Sequence, residues 1–163
     1  MSLDESYILQ RMEQIMKDSY CMWDIHDYIE LRNLVCARLT MFNARRGGEP
    51  ARMTLQEWLD ADSEAWIDKD LVENISDPIE QDLLDTFKLA CQSGKGSRKL
   101  VPVLIPSDTI KPLRKLAQER KPGRVFEENM FLFQNTGAWI DKDLVENISD
   151  PFEQDLLETF KLA

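Results

Sequence analysis

Apolar residues recur at helical spacing twice near the N-terminus: Ile8, Leu9, Met12, Ile15 and Met16 within positions 4–18, then Ile25, Tyr28, Ile29, Leu31, Leu34, Val35, Leu39 and Phe42 within 24–43. Side chains three and four apart share one face of a helix, so both stretches predict amphipathic helices. Gly47-Gly48 followed by Pro50 breaks the second, and Pro50 suits the first turn of a new short helix reaching about Leu59. Arg45 and Arg46 therefore sit at a helix junction.

Further along, Ser76 or Asp77 before Pro78 is a helix start: a capping side chain, a proline at the first helical position, then acids in the first turn. That helix is predicted over about 78–88. Next, LACQ and KLVPVLI flank SGKGSR, whose small polar residues and two glycines suit a connection between two short strands. Pro102 has no N–H to give a ladder and makes the second strand an edge or an irregular one. Pro106-Ser107-Asp108 opens a helix over TIKPLRKLAQER that ends near Pro122-Gly123, and a short apolar piece, MFLF, follows at 130–133. The pattern as a whole predicts a mainly α fold with one small β-hairpin near 88–105.

The stretch AWIDKDLVENISDPIEQDLLDTFKLA at 65–90 returns at 138–163 with 24 of 26 positions unchanged; Ile79 becomes Phe152 and Asp85 becomes Glu158. Two copies with unrelated sequence between them do not make a solenoid, which needs about three regular units. The division expected is a helical domain over 1–137 and a duplicate of 65–90 over 138–163. The tail reads as a duplicated exon or an appended copy. Phe152, Leu156, Leu157 and Phe160 repeat the apolar stripe of Ile79, Leu83, Leu84 and Phe87, so both copies call for the same kind of groove. A homodimer or a domain swap through the duplicated helix is the expected consequence.

Composition narrows the class. At 163 residues, 43% apolar and with four Trp and seven Phe, the chain can bury one core and is not a disordered chain. No apolar run approaches the roughly 20 residues of a membrane span, and MSLDESY lacks the regions of a signal peptide, so a soluble, intracellular protein with no membrane partner is expected. Cys21, Cys36 and Cys91 have no close pairing, and His26 is the sole histidine; no zinc site, disulfide framework, metal or cofactor is indicated.

The net charge of −10 would argue against nucleic acid if it were spread evenly, but each copy of the repeat holds seven acids against two lysines. The other 111 residues are balanced, and positions 95–124 carry nine bases (Lys95, Arg98, Lys99, Lys111, Arg114, Lys115, Arg120, Lys121, Arg124) against Asp108 and Glu119. Such a window is either a solvated helix face or a surface for a DNA backbone.

The order of these features resembles the catalytic domain of the tyrosine recombinases, the phage-integrase-like strand-exchange enzymes. Arg46-Gly47-Gly48-Glu49 after a helix is similar to that family's Arg-x-x-Glu. Gly94-Lys95-Gly96-Ser97-Arg98-Lys99-Leu100-Val101-Pro102-Val103 is similar to its hairpin, which carries a lysine in the turn. The LVPVLIP and LF-x-NT phrases resemble recombinase-like reading frames of eukaryotic mobile elements. The likeness spans about 24–137; either motif alone arises by chance, and the two in order are more specific.

The resemblance implies a partial recombinase-like helical fold, double-stranded DNA as partner, and, in a eukaryote, a nuclear location. It implies that Arg46 would hold two phosphate oxygens with its planar guanidinium, and that Lys95 would protonate the leaving 5′ oxygen. Glu49, three residues on, would steady the guanidinium or cap the new helix. Arg45, Arg52, Arg98, Lys99, Lys111, Arg114 and Lys115 would contact the DNA backbone. Taken singly, Arg46 could equally pair with the repeat's acids, and a turn lysine is ordinarily just solvated.

The family's His-x-x-Arg pair and tyrosine nucleophile would lie downstream, yet after Gly137 there is no His, Arg or Tyr; Tyr7, Tyr20, Tyr28 and His26 all precede Arg46. The expectation is a truncated domain of recombination or integration origin that does not cleave by itself. Two other classes stand beside it. One is a non-enzymatic protein-binding module domesticated from a mobile element. The other is a hydrolase with a metal on Asp68, Asp70 and Glu73, although an acid run in so acidic a chain is usually a solvated face.

Overall fold

The computed structural model describes residues 5–18, 23–43, 50–93, 100–120, 125 and 127–133. Two helices come first. α1 (Glu5–Asp18) buries Ile8, Met12 and Ile15, which are four and three residues apart on one face. α2 (Ile25–Phe42) starts on a reciprocal cap: the Asp24 carboxylate accepts from the His26 N–H at 2.7 Å and the Asp27 N–H at 2.9 Å, and Asp27 accepts from the Asp24 N–H at 3.2 Å. α2 buries Tyr28, Leu31, Val35, Cys36 and Leu39 and touches α1 and, later in the chain, Pro50–Arg52, Leu100–Pro106 and Ser107–Gln118, so it is the centre of the core.

The helix expected from Pro50 to Leu59 is divided. A 3-10 turn, Pro50–Arg52, is followed by extended backbone, and α3 (Leu55–Asp62) begins anew at Thr54. The reason is a second reciprocal cap: Thr54 Oγ1 accepts from the Glu57 N–H at 3.1 Å, and Glu57 accepts from the Thr54 N–H at 2.8 Å. The extended residues also pair with the MFLF piece, Leu55 N–H to Met130 O and Leu132 N–H to Met53 O, each at 2.8 Å. A continuous helix would forfeit both the cap and this bridge. At its other end α3 closes through Glu64 in the left-handed region (φ 61°), with Glu64 N–H on Ala61 O and Ala65 N–H on Asp60 O.

The first copy of the repeat supplies α4 (Lys69–Glu73), α5 (Pro78–Thr86) and part of the first strand. Asp77 caps α5 by accepting from the Ile79 N–H at 2.8 Å, with Pro78 at the first position, as its sequence predicts. The helix stops two residues short of 88, because Phe87 turns extended and opens β1 (Phe87–Ser93). β1 pairs antiparallel with β2 (Leu100–Pro106), from Phe87 opposite Pro106 to Ser93 opposite Leu100. α6 (Ser107–Gln118) follows directly and ends a little before the predicted stop. Beyond it the Arg120 guanidinium donates to the carbonyls of Asn129 and Phe131, tying down the returning chain.

The fold is thus mainly α with one two-stranded antiparallel sheet. Its core lies between α1, α2 and α6 and the inner face of the hairpin, where Ala90, Val103 and Ile105 meet Leu31, Leu39, Leu113 and Leu116. Trp58 and Leu132 close one side. The second copy of the repeat, 138–163, lies outside the described residues.

Candidate nucleic-acid interface

Arg45, Arg46 and Glu49 fall in 44–49, and Lys95, Arg98 and Lys99 in 94–99; all six lie outside the described residues. The chain on either side of both stretches is described, and it is tied together. Asn43, at the end of α2, donates its carboxamide N–H to Leu104 O and accepts from the Leu104 N–H, both at 2.9 Å. Asn43 also donates to Leu39 O, which fixes its side chain to the helix end. Because the Leu104 backbone groups are turned to Asn43, they point away from β1. The amide therefore plugs the open edge of β2, where Pro102 has no N–H to leave exposed.

A second tie sits at the far end of the hairpin. The Ser93 N–H donates to Glu57 at 3.2 Å, and the other oxygen of the same carboxylate accepts from Thr54. So 44–49 leaves from an Asn43 bonded to β2 and returns to the Pro50–Thr54 segment, whose capping glutamate holds the last residue before 94–99.

The remaining predicted contact residues differ in how far they are already engaged. Arg52, in the 3-10 turn, and Lys111, exposed on α6, have no hydrogen bond or ion pair among the described residues. Arg114 grips Asp62 with two nitrogens at 2.6–3.1 Å. Lys115 reaches Glu119 at 3.0 Å and lies 4.9 Å from the centre of the Trp23 ring. Lys111, Arg114 and Lys115, spaced three and four apart, share a helix side, but in this chain two of the three already face partners. The hydrogen bond from Arg114, reinforced by Lys88, holds the Asp62 carboxyl below the usual carboxylate range.

Sequence reasoning missed Arg38. Its side chain is buried on α2 and joins α1 to α6 through Glu5 at 2.6 Å and Asp108 at 2.8 Å, with the Phe42 ring 5.2 Å away. Burial works to lower its pKa, but the hydrogen bond and charge of Asp108 and the charge of Glu5 outweigh it and the net shift is upward. The only signal for it is an arginine between the core positions Val35 and Leu39. Arg32, equally buried one and a half turns earlier, has its pKa lowered by burial.

Asp68 and Asp77 spend their carboxylates on the backbone N–H groups of Asp70 and Ile79. Among the described residues no three His, Cys, Asp or Glu side chains gather closely enough to hold a metal ion. Cys36 and Cys91 are free thiols, and burial pushes Cys36 up to about 12. No helix among the described residues is long and apolar enough to cross a membrane. Comparisons with protein-family models, with curated proteins and with solved structures find no match.

Proposed function

We propose that this chain is a DNA-binding part of a tyrosine-recombinase-like protein, acting in recombination or integration and, in a eukaryote, in the nucleus. The observation that carries the reading is the double tie of the two motif-bearing stretches. Asn43 and Glu57, which bracket Arg46 and Glu49 in sequence, bond Leu104 and Ser93, which bracket Lys95. A phosphate-binding arginine and a proton-donating lysine must act on one phosphodiester, and a rigid common frame is what such a division of labour requires. Arg46 then grips the phosphate, Lys95 stands at the leaving oxygen, and Arg52 and Lys111, which have no hydrogen bond or ion pair among the described residues, follow the DNA backbone. The reading assigns DNA binding to these residues and assigns cleavage to none of them.

The test is fluorescence anisotropy with a labelled duplex of random sequence at low and moderate salt. Binding should fall steeply as salt rises, and Arg46→Ala or Lys95→Ala should weaken it while lowering the salt slope by about one contact. Absence of binding at low salt removes the reading.

One observation favours a second reading, a protein-binding module. α5 buries none of its residues, and Ile79 and Leu83 are 71% and 50% exposed. Its occupant is then either another copy of this chain or a different protein.

A further inference from the structure

We propose that the outward face of the β1–β2 hairpin is a docking seat for a single helix of a partner protein, one whose contacting stripe is apolar and uncharged. The seat is a different surface from α5 and does not depend on DNA binding. Side chains alternate across a strand, and directly opposed residues of an antiparallel pair share a face. Ala90, Val103 and Ile105 look into the core, so Leu89 with Leu104, Cys91 with Pro102 and Ser93 with Leu100 look outward as three cross-strand pairs. A hairpin with one solvated face ordinarily alternates apolar with polar residues, and this one keeps both faces apolar. Leu100 and Leu104 are 51% and 45% exposed, Pro102 is exposed, and Leu89 and Cys91 are half-buried. The base of the face is already covered, where Phe87 stacks on Phe42 and Pro106 is buried.

Backbone chemistry, size and charge select the occupant. The edges are engaged: Asn43 fills the Leu104 backbone groups, Pro102 has no N–H, and the Ser93 N–H donates to Glu57. An extended segment laid flat on the face would bury its own N–H and C=O groups without a ladder partner, whereas a helix satisfies its backbone internally. From Leu100 to Leu104 the face runs about 14 Å, and two strands with their side chains are about 10 Å wide. A helix of about two and a half turns covers that footprint. A patch of roughly a few hundred Å² falls well short of the ~800 Å² per partner that a stable dimer of whole domains buries. Two copies of a chain with net charge −10 also repel each other. None of the six outward side chains is charged, so the stripe that meets them is apolar and not basic. Cys91 and Pro102 are smaller than the leucines on either side, Leu104 and Leu100, and leave a shallow saddle for a bulky apolar side chain at the middle of that stripe.

The experiment uses the full chain and a labelled peptide with leucines at i, i+3, i+4 and i+7 and only glutamine and alanine elsewhere, read by fluorescence anisotropy. A side-chain staple on its polar face holds it helical. A second stapled peptide has the same composition with the leucines scattered round the helix. The first should bind at least about tenfold tighter than the second, and Leu100→Lys or Leu104→Lys should weaken it at least about tenfold. Raising the salt should leave the affinity unchanged or improve it, opposite to a DNA complex, so the two readings fail separately. Bound peptide should also slow alkylation of Cys91 by iodoacetamide, followed at that residue by mass spectrometry. Both leucines are about half exposed, and an unchanged circular dichroism melt certifies that the fold survives their replacement. The alkylation uses the unaltered chain and stands whatever the variants' stability.

Equal binding of the scattered peptide, or no binding of either, would overturn the proposal. Binding that survives both lysine variants, or that leaves Cys91 alkylation unchanged, would place the peptide elsewhere and overturn the seat. An affinity that falls steeply with salt would assign the contact to charge and overturn the uncharged partner. Self-association in sedimentation velocity that Leu104→Lys abolishes would make a second copy of the chain the occupant and overturn the single helix.

Discussion

α6 and α5 are short neighbours in sequence, each opened near a proline and each carrying apolar residues at helical spacing, yet they live differently. α6 buries Thr109, Pro112, Leu113 and Leu116 against α2 and the hairpin. α5 buries no residue fully, although it has a side-chain cap, a first-turn acid and a proline at its first position. Local signals are therefore enough to say where a helix starts, but not whether a second surface is waiting for it. An isolated helix of nine residues is marginal in water, so α5 depends on its cap and its junction with β1, where the Phe87 N–H closes the last turn on Leu83 O. Phe87, the last member of the apparent stripe, is not on the helix face; it begins the strand and stacks on Phe42 with ring centres 5.4 Å apart.

The contrast can be broken most forcefully in the core. Trp58 is 1% exposed, and Trp58→Ala should cost about 3–5 kcal/mol in chemical denaturation, through the lost burial and the cavity left behind. That is a large share of the stability of an ordinary domain, so the variant should be partly unfolded near room temperature. A loss below about 1 kcal/mol would mean that the α3 side of the core is not packed as described.

A smaller effect sharpens the boundary between the two regions, because Asp62 at the end of α3 joins α6 and β1 through Arg114 and Lys88. Its pKa is lowered in the folded protein, so it contributes stability that is present above the unfolded value of about 3.9 and is lost as pH falls through the lower folded value. Arg114 is half exposed, which limits the gain to about 1 kcal/mol or less. Asp62→Asn should therefore be less stable than the parent at pH 6, and the gap should close as pH falls through the lowered folded value. An unchanged gap at low pH would assign the loss to packing rather than charge.

The sequence made the capped helix α5 and the hairpin readable, because their causes are local: Asp77 as a cap, Pro78 at a first turn, and the small polar residues between two apolar runs. It misled at Pro50, where Thr54 and Glu57 form a stronger start and Met53 finds a partner 79 positions away at Leu132. No local pattern reports such a pairing. The ties around the candidate site were equally hidden. Asn43 reads as an ordinary helix end, and Glu57 as a surface acid, until the hairpin is placed beside them. Arg38 was passed over for the same reason, since only the arrival of Glu5 and Asp108 makes an arginine acceptable among core residues.

The smallest effect is the most discriminating for α5. If its helicity rests on its cap and not on burial, Leu83→Ser should shift global stability by no more than about 0.5 kcal/mol, as for any exposed position. Asp77→Ala removes the acceptor of the Ile79 N–H and should destabilise α5 by about 1 kcal/mol. That change should appear in amide hydrogen exchange as faster exchange confined to the helix, with the amides of α2 and α6 unmoved. Exchange that quickens through β1 and α6 as well would show α5 to be coupled to the core through Phe87. In that case the exposed Ile79 and Leu83 would belong to a unit that opens and closes with the whole domain rather than to a locally fraying helix.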